Sequence, residues 1–500
     1  MKPTNPQRLR SNPRLPAARG ILAFLSLALI VAGGCAVGPD YHPPKMAVSP
    51  AFSAATNQPP AEPGSAPAST VPVQLQRWWE NFHDPALDHL IVQAVASNLD
   101  VRLAQARVRE ARAQLGVSRA GLFPTLNASG SFTRTRTSQG LLFQGEPTTA
   151  NLFQAGFDAG WEIDVFGGTR RQIEASRDTL EAQIEARRNA LVTLLGEVAQ
   201  NYCALRGYQH QLLIVSNNLA AQQDTLRLQQ SKLQAGLATD LDVANAEAQA
   251  AATQSQMPPL QTQIQQAIYQ LGVLLDREPG ALEAELRSIA PLPEGPPEVP
   301  PGLPSDLLRR RPDVRQAERQ LASATANIGV ATADLYPKFN LTGTAGQESF
   351  SLQTFANASS RFWSFGPTVT WRLFSAGQIR ANIRVQDARQ EEAFIQYRQA
   401  VLQSLQDVEN ALVAYSHEQV RRHSLGEAVA SARRAVSLAL RLNQAGVVDF
   451  LNVLNAQQTL FQAELQLAQS NQAVATDLVA LYKALGGGWQ AAEEHASRTP

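Results

Sequence analysis

Every seventh residue along one stretch of this chain is apolar. Ile184, Leu191, Val198, Leu205, Leu212, Leu219, Leu226 and Leu233 follow each other at heptad spacing. A chain patterned this way forms a helix with a partner along its seam. From Gly168 to Gly236 such a helix runs roughly 100 Å at 1.5 Å per residue. The pattern then recurs as Phe394, Val401, Val408, Tyr415, Val429 and Val436, with Arg422 and Asn443 in the remaining slots. The offset is about 210 residues, far longer than any solenoid unit. One elongated body with an internal two-fold structural repeat is expected, rather than several compact domains.

Composition removes several function classes. Net charge is zero and no basic stripe occurs, which argues against nucleic acid. Aromatics make up only 6%, and the excess of Ala, Gln and Leu suits long helices. Cys35 and Cys203 are the only cysteines, too few for a disulfide framework. The seven histidines are scattered, and His83 and His89 lack His-Glu-x-x-His spacing. No phosphate-binding Gly loop or nucleophile elbow occurs. No catalytic residue, metal site or cofactor is expected.

The N-terminus reads as an export signal. Lys2, Arg8, Arg10, Arg14 and Arg19 precede a short apolar stretch from Ile21 to Val31, then Ala32, Gly33 and Gly34 lead to Cys35. This predicts a signal peptide over 1–34, cleavage before Cys35 and acylation of its thiol. The alternative is an ordinary signal peptide cut nearby. Ala36 rather than Asp after the cysteine favours the outer membrane over inner-membrane retention. Residues 35–76, rich in Pro, Ala and Ser, read as an extended, poorly ordered arm. No later stretch is apolar enough for a transmembrane helix, so a membrane span here must be β.

Two halves follow, 77–278 and 305–489, with a Pro-rich linker over 279–304 and a tail over 490–500. In the first, Asp84-Pro85 signals a helix start, and one helix is expected through Leu90, Ala94, Leu103 and Leu115. Phe123-Pro124 breaks it and the period changes to two. Leu126, Ala128, Gly130 and Phe132 alternate with polar residues, and so do Phe153, Ala155, Phe157, Ala159, Trp161, Ile163 and Val165. These are strands of the length a tilted membrane strand needs. The long helix follows, then a return helix from Asp240, which Pro258-Pro259 should interrupt. The second half replays this: a helix from Asp306, Tyr336-Pro337, one strand through Phe339, Leu341 and Gly343, another from Trp363 to Leu373, and a long helix ending at Gly446.

Four membrane-length strands cannot close a barrel, and open edges do not survive in lipid. Three copies give a trimeric twelve-stranded β-barrel, continued by a coiled-coil α-barrel of antiparallel helix pairs. The fold class is therefore an α+β membrane protein. Trp161, Phe166, Trp371 and Phe374 fall near strand ends, where interfacial aromatics sit. The competing reading is a small soluble sheet packed on helices.

The segments Cys35-Ala-Val-Gly-Pro-Asp-Tyr41-His-Pro-Pro44 and Trp78-Trp79-Glu-Asn-Phe82-His-Asp84-Pro85 resemble TolC/NodT-type outer-membrane factors. So does Arg309-Arg-Arg-Pro312-Asp313-Val314-Arg315-Gln-Ala317-Glu318 with Leu335-Tyr336-Pro337 after it. The resemblance spans essentially the whole mature chain. It implies a homotrimeric exit duct in outer-membrane lipid, working with a periplasmic adaptor (membrane fusion) protein and an inner-membrane pump of the RND type. It also implies that the helical tips form the gate and the adaptor contact. The tips carry over onto Gly236 to Val243 and Gly446 to Asn455, with Gly236, Leu237, Gly446 and Val447 as the adaptor contacts. The hydrophobic constriction carries over onto Leu451 beside Phe450, and the first-repeat acid onto Asp242. The family's acidic ring falls on Asn452 and Asn455, leaving Asp449 as the nearest acid. Asp240, Asp242 and Asp449 have a plainer reading as helix caps, and Leu451 and Phe450 one as coil contacts. Two other functions fit the pattern less fully: a duct for type I protein secretion, and a non-conducting periplasmic coiled-coil lipoprotein.

Overall fold

A computed structural model describes residues 36–53, 75–138, 148–296 and 304–498, with backbone alone over 494–498. Cys35 and the signal segment lie outside the described residues. The 3-10 helix Leu75–Phe82 precedes α1 (Pro85–Ser97) and α2 (Leu99–Ala120). Strands β1 (Thr125–Arg136) and β2 (Thr149–Ile163) lead into α3 (Gly168–Gln234), α4 (Asp240–Gln254) and α5 (Met257–Leu274). The short α6 (Glu283–Leu286) and α7 (Pro304–Arg310) lead to α8 (Pro312–Ala333). Then come β3 (Lys338–Ser349), β4 (Arg361–Thr370), α9 (Gln378–Gln444), α10 (Phe450–Ala484) and α11 (Trp489–Arg498). The order helix, strand, strand, long helix occurs in both halves, and α3 and α9 are each 67 residues. No described helix is long and apolar enough to cross a membrane.

The chain divides into two units. The first comprises Met1–His42, Ala111–Thr179 and Gln320–Ala393, and the second Pro43–Glu110, Leu180–Arg319 and Phe394–Pro500.

The first unit is built on one antiparallel sheet in the order β1-β2-β3-β4. Pairing aligns Leu126 with Ala159, Phe132 with Phe153, Trp161 with Leu341, and Ala345 with Trp363. Because strand residues alternate faces, this register gathers most of the apolar residues on one side, with Leu152 and Phe362 as exceptions. Thr125, Asn127, Ser129, Asp158, Thr342, Thr344 and Ser364 fall on the other. The apolar side is open: Phe132, Phe157, Trp363, Phe365 and Val369 are all exposed. Within this unit Arg171 ties down the start of the arm, donating to the carbonyls of Val37 and Gly38 and to Asp40 at 2.7 Å. A Cβ on Gly38 would stand 2.4 Å from the Gly329 Cα, and one on Gly329 would stand 2.8 Å from the Arg171 side chain and 2.9 Å from the Val37 carbonyl, so neither position admits a side chain without a shift.

The second unit is helical and holds the main core. Leu191, Val198 and Leu205 of the first heptad ladder are buried, as are Val401, Val408, Tyr415 and Val429 of the second. Trp78 stacks on Tyr482 at 5.1 Å between ring centroids and meets Trp79 and Phe82 edge-on. Leu87, Leu90, Ile91, Leu195 and Leu271 complete this cluster.

Several sequence expectations need correction. The helix from Asp84 is two helices. Asp84 does cap α1, accepting from Ala86 and Leu87 N–H. Asn98 then ends α1 and caps α2 by accepting from Asp100 N at 3.0 Å and Val101 N at 3.1 Å. Its amide also donates to the Leu274 carbonyl at 2.9 Å, so the break is held from α5. The helix from Asp306 is also split, since Pro312 starts α8 and α7 stops at Arg310. Arg311 between them is buried, pairing with Asp313 at 2.7 Å and Asp407 at 2.9 Å and donating to the Ala484 carbonyl. These partners belong to the same chain, so its charge is neutralised within the protomer. Pro258 and Pro259 do interrupt the return helix, at Ser255-Gln256. Within the 279–304 linker, Leu282 and Leu286 are buried. The expected tail is helix α11. The Arg188 guanidinium lies 4.4 Å over the Trp489 ring, and both Arg187 and Arg188 pair with Glu493. Of the arm, residues 54–74 lie outside the described residues; among those described, Phe52 is buried and Ser53 donates its backbone N–H to Glu409 at 2.7 Å.

Candidate functional site: two helical tips and a one-sided sheet

Both tips fold by the same local chemistry. At the first, Gly236 takes φ +70°, its N–H donates to the Leu233 carbonyl at 2.9 Å, and Leu237 N–H donates to Lys232 at 2.8 Å. At the second, Gly446 takes φ +73°, its N–H bonds Asn443 at 3.0 Å, and Val447 N–H bonds Leu442 at 2.9 Å. This paired closure satisfies the last carbonyls of each long helix and needs a left-handed residue at the turn. Glycine supplies that at little steric cost.

The return helices start differently. Thr239, not an aspartate, caps α4. Its hydroxyl accepts from Asp242 N–H at 3.2 Å, while Asp242 Oδ2 accepts from Thr239 N–H at 3.0 Å and from its hydroxyl at 2.7 Å. This is a capping box, so Asp242 is engaged within its own tip. At the second tip Asp449 occupies the cap position, but its side chain makes no cap hydrogen bond. Asn443 instead braces the turn before it, its amide donating to the Val448 carbonyl at 2.9 Å. Asp449 is exposed, as are Asn452 and Asn455, while Phe450 is half-buried. Leu237, Leu241, Val447 and Leu451 are 77%, 68%, 67% and 54% exposed. Each tip thus presents bare aliphatic side chains beside carboxylates.

At the base of the sheet two tryptophans do matching jobs. Trp161 Nε1 donates to the Leu122 carbonyl at 2.9 Å and Trp371 Nε1 to the Leu335 carbonyl at 3.0 Å. Each pins the residue just before an aromatic-Pro turn, a pairing that sequence spacing alone does not reveal. Trp161 lies within β2, whereas Trp371 falls just beyond β4, which ends at Thr370. Phe166 stacks on Tyr336 at 4.6 Å, and Phe374 is exposed.

No group of residues able to hold a metal ion occurs among the described residues. Burial pushes the Cys203 thiol up to about 12, and it does the same to the Tyr202 hydroxyl, which donates to Asp84 at 2.8 Å. Both are core groups.

One chain thus carries a one-sided, four-stranded sheet and two 67-residue helices. Residues 90–276 and 303–487 match the model of the outer membrane efflux protein family, and the chain belongs to that family. The solvent efflux pump outer membrane protein SrpC of Pseudomonas putida is 33% identical over 475 residues, 93% of this chain and 98% of that protein. The pyoverdine export outer membrane protein OpmQ of Pseudomonas putida is 35% identical over 442 residues, 87% of this chain and 93% of that protein. The solved structure of the outer-membrane channel OprN superposes with a TM-score of 0.84 at 35% identity, over 91% of this chain and all of that one. The chain is accordingly an outer-membrane protein of the efflux channel family.

Proposed function

We propose that three copies join edge to edge into a twelve-stranded barrel, and that their helices continue it as a hollow coiled-coil duct. The carrying observation is the sheet. Its edge strands β1 and β4 have no partner among the described residues, and its apolar face is bare. Open edges and bare apolar faces are both costly unless pairing and lipid cover them. The heptad ladders point the same way. Leu212, Leu219, Leu226 and Leu233, towards the first tip, are only half-buried in one protomer, as are Val436 and Asn443 towards the second. Neighbouring copies would cover them. Each chain then contributes two repeats, 77–278 and 305–489, joined by the 279–304 linker.

The duct would conduct passively from an inner-membrane RND-type pump through a periplasmic adaptor to the exterior, as the efflux-pump relatives suggest. The pump selects the substrate. The tips close it, with Leu451 and Phe450 as the constriction and Asp449, Asp242, Asn452 and Asn455 around it. Replacement of the ring acids by asparagines weakens cation preference. An acylated Cys35 anchors the arm.

Two experiments test this reading. The purified protein is expected to migrate on unheated gels as a trimer that boiling converts to the protomer; a protomer under both conditions contradicts barrel closure. Alanine at Leu237 and Val447 is expected to abolish cross-linking to the adaptor. Undiminished cross-linking would remove the tips from the docking surface.

A further inference from the structure

The apolar face of the sheet is charged at one end only. Among its paired strand positions, the charged residues on that face are Arg134 and Arg136, at the end of β1, and Arg361, at the start of β4. All three are exposed, and none has an ion-pair partner among the described residues. The acids Asp158, Glu162 and Glu348 lie on the opposite face. The other end of the apolar face holds Leu126, Ile163, Phe339 and Val369 and carries no charge. The three arginines sit where the strands run into the β1–β2 and β3–β4 loops, away from the helices.

β1 and β4 are the two edges of the sheet. If copies join at these edges, as the proposed barrel requires, Arg361 of one copy stands near Arg134 and Arg136 of the next. Adjacent strands lie about 4.8 Å apart, and same-face neighbours on a strand roughly 7 Å apart. Three like charges in so small a strip repel one another unless an anion sits among them. Two positions further into the apolar band on these same edges stand Phe132 and Trp363, the latter 80% exposed. The strip therefore has cations at its loop end and broad apolar surface beneath.

We propose that each junction between copies binds the phosphate groups of a phosphorylated glycolipid of the outer leaflet. The arginine forks would take the phosphate oxygens, and the acyl chains would lie along Phe132 and Trp363. This rests on the barrel reading. It adds that the lipid stitches one copy to the next, because the site is incomplete in a single protomer.

The test uses the full-length assembled protein and native mass spectrometry, with bisphosphorylated lipid A, its monophosphoryl form and phosphatidylglycerol as probes. Retention of one lipid A per junction is expected, with monophosphoryl lipid A and phosphatidylglycerol bound more weakly. The variant R134Q/R136Q/R361Q should bind lipid A roughly a hundredfold more weakly, since each basic side chain at an anionic surface contributes about 1 kcal/mol. Should that variant not assemble, Arg361→Gln alone is expected to weaken binding about fivefold. Equal lipid A binding by wild type and the assembled variant, or equal binding of all three lipids, overturns the proposal. Failure of the wild type to form a heat-modifiable trimer shows before any lipid is added. It would sink the barrel reading itself, and the junction site with it.

Discussion

Phe157→Arg is expected to remove this protein from the outer membrane. Phe157 lies in the middle of β2, paired with Ala128 on one side and Ala345 on the other, and its ring is 59% exposed on the apolar face. In the proposed barrel that face meets hydrocarbon. An arginine near the bilayer midplane costs about 2–4 kcal/mol in a membrane barrel, and a trimer meets that cost in each of its three copies. The matched control is Thr344→Arg. Thr344 lies on the polar face directly across from Asp158, so the new guanidinium faces water and a carboxylate, and assembly should be retained. Membrane fractionation with unheated and heated gels reads both variants. Loss of assembly in the control but not in Phe157→Arg would mean that the faces have been assigned the wrong way round.

Trp78→Ala should cost about 3–5 kcal/mol, as large-to-small changes in a packed core do. Trp78 is 1% exposed and sits against Tyr482, Trp79 and Phe82. It holds the 3-10 helix that precedes α1 onto the last helices of the chain. Trp78→Phe separates packing from polarity. The indole Nε1 has no hydrogen-bond partner, so phenylalanine forfeits volume but no hydrogen bond. It leaves a smaller cavity than alanine does and should cost about 1–2 kcal/mol. The urea midpoint of the helical circular-dichroism signal measures the difference. Comparable losses in both variants would mean that the indole nitrogen matters in a way its surroundings do not explain.

Much of this architecture was legible because long periodic patterns outweigh local accidents. The heptad ladders forecast two long helices, and their central members are the ones buried. Strict alternation through Phe153 and Ile163 forecast β2 and the face each residue takes. What the sequence hid were points where a distant partner decides a local event. Asn98 divides a helix because the Leu274 carbonyl takes its amide. Arg311 is buried because Asp407, far along the chain, neutralises it. Thr239 rather than Asp240 caps the first return helix, and only the reciprocal bonds with Asp242 reveal it. Trp371 leaves the strand to reach the Leu335 carbonyl. The tip residues were found through resemblance to a family, since exposed Leu and Gly at a helix end carry no periodic signal. The arginines on the apolar face were overlooked because their meaning depends on strand register, which fixes the face they share.

Planar-bilayer conductance of the purified trimer beside Leu451→Ser most directly tests whether this is a gated duct. Small, infrequent conductance steps are expected from the wild type, rising severalfold in the variant as the aliphatic constriction becomes hydrophilic. Absence of conductance from both proteins would contradict the account and leave a structural lipoprotein in its place.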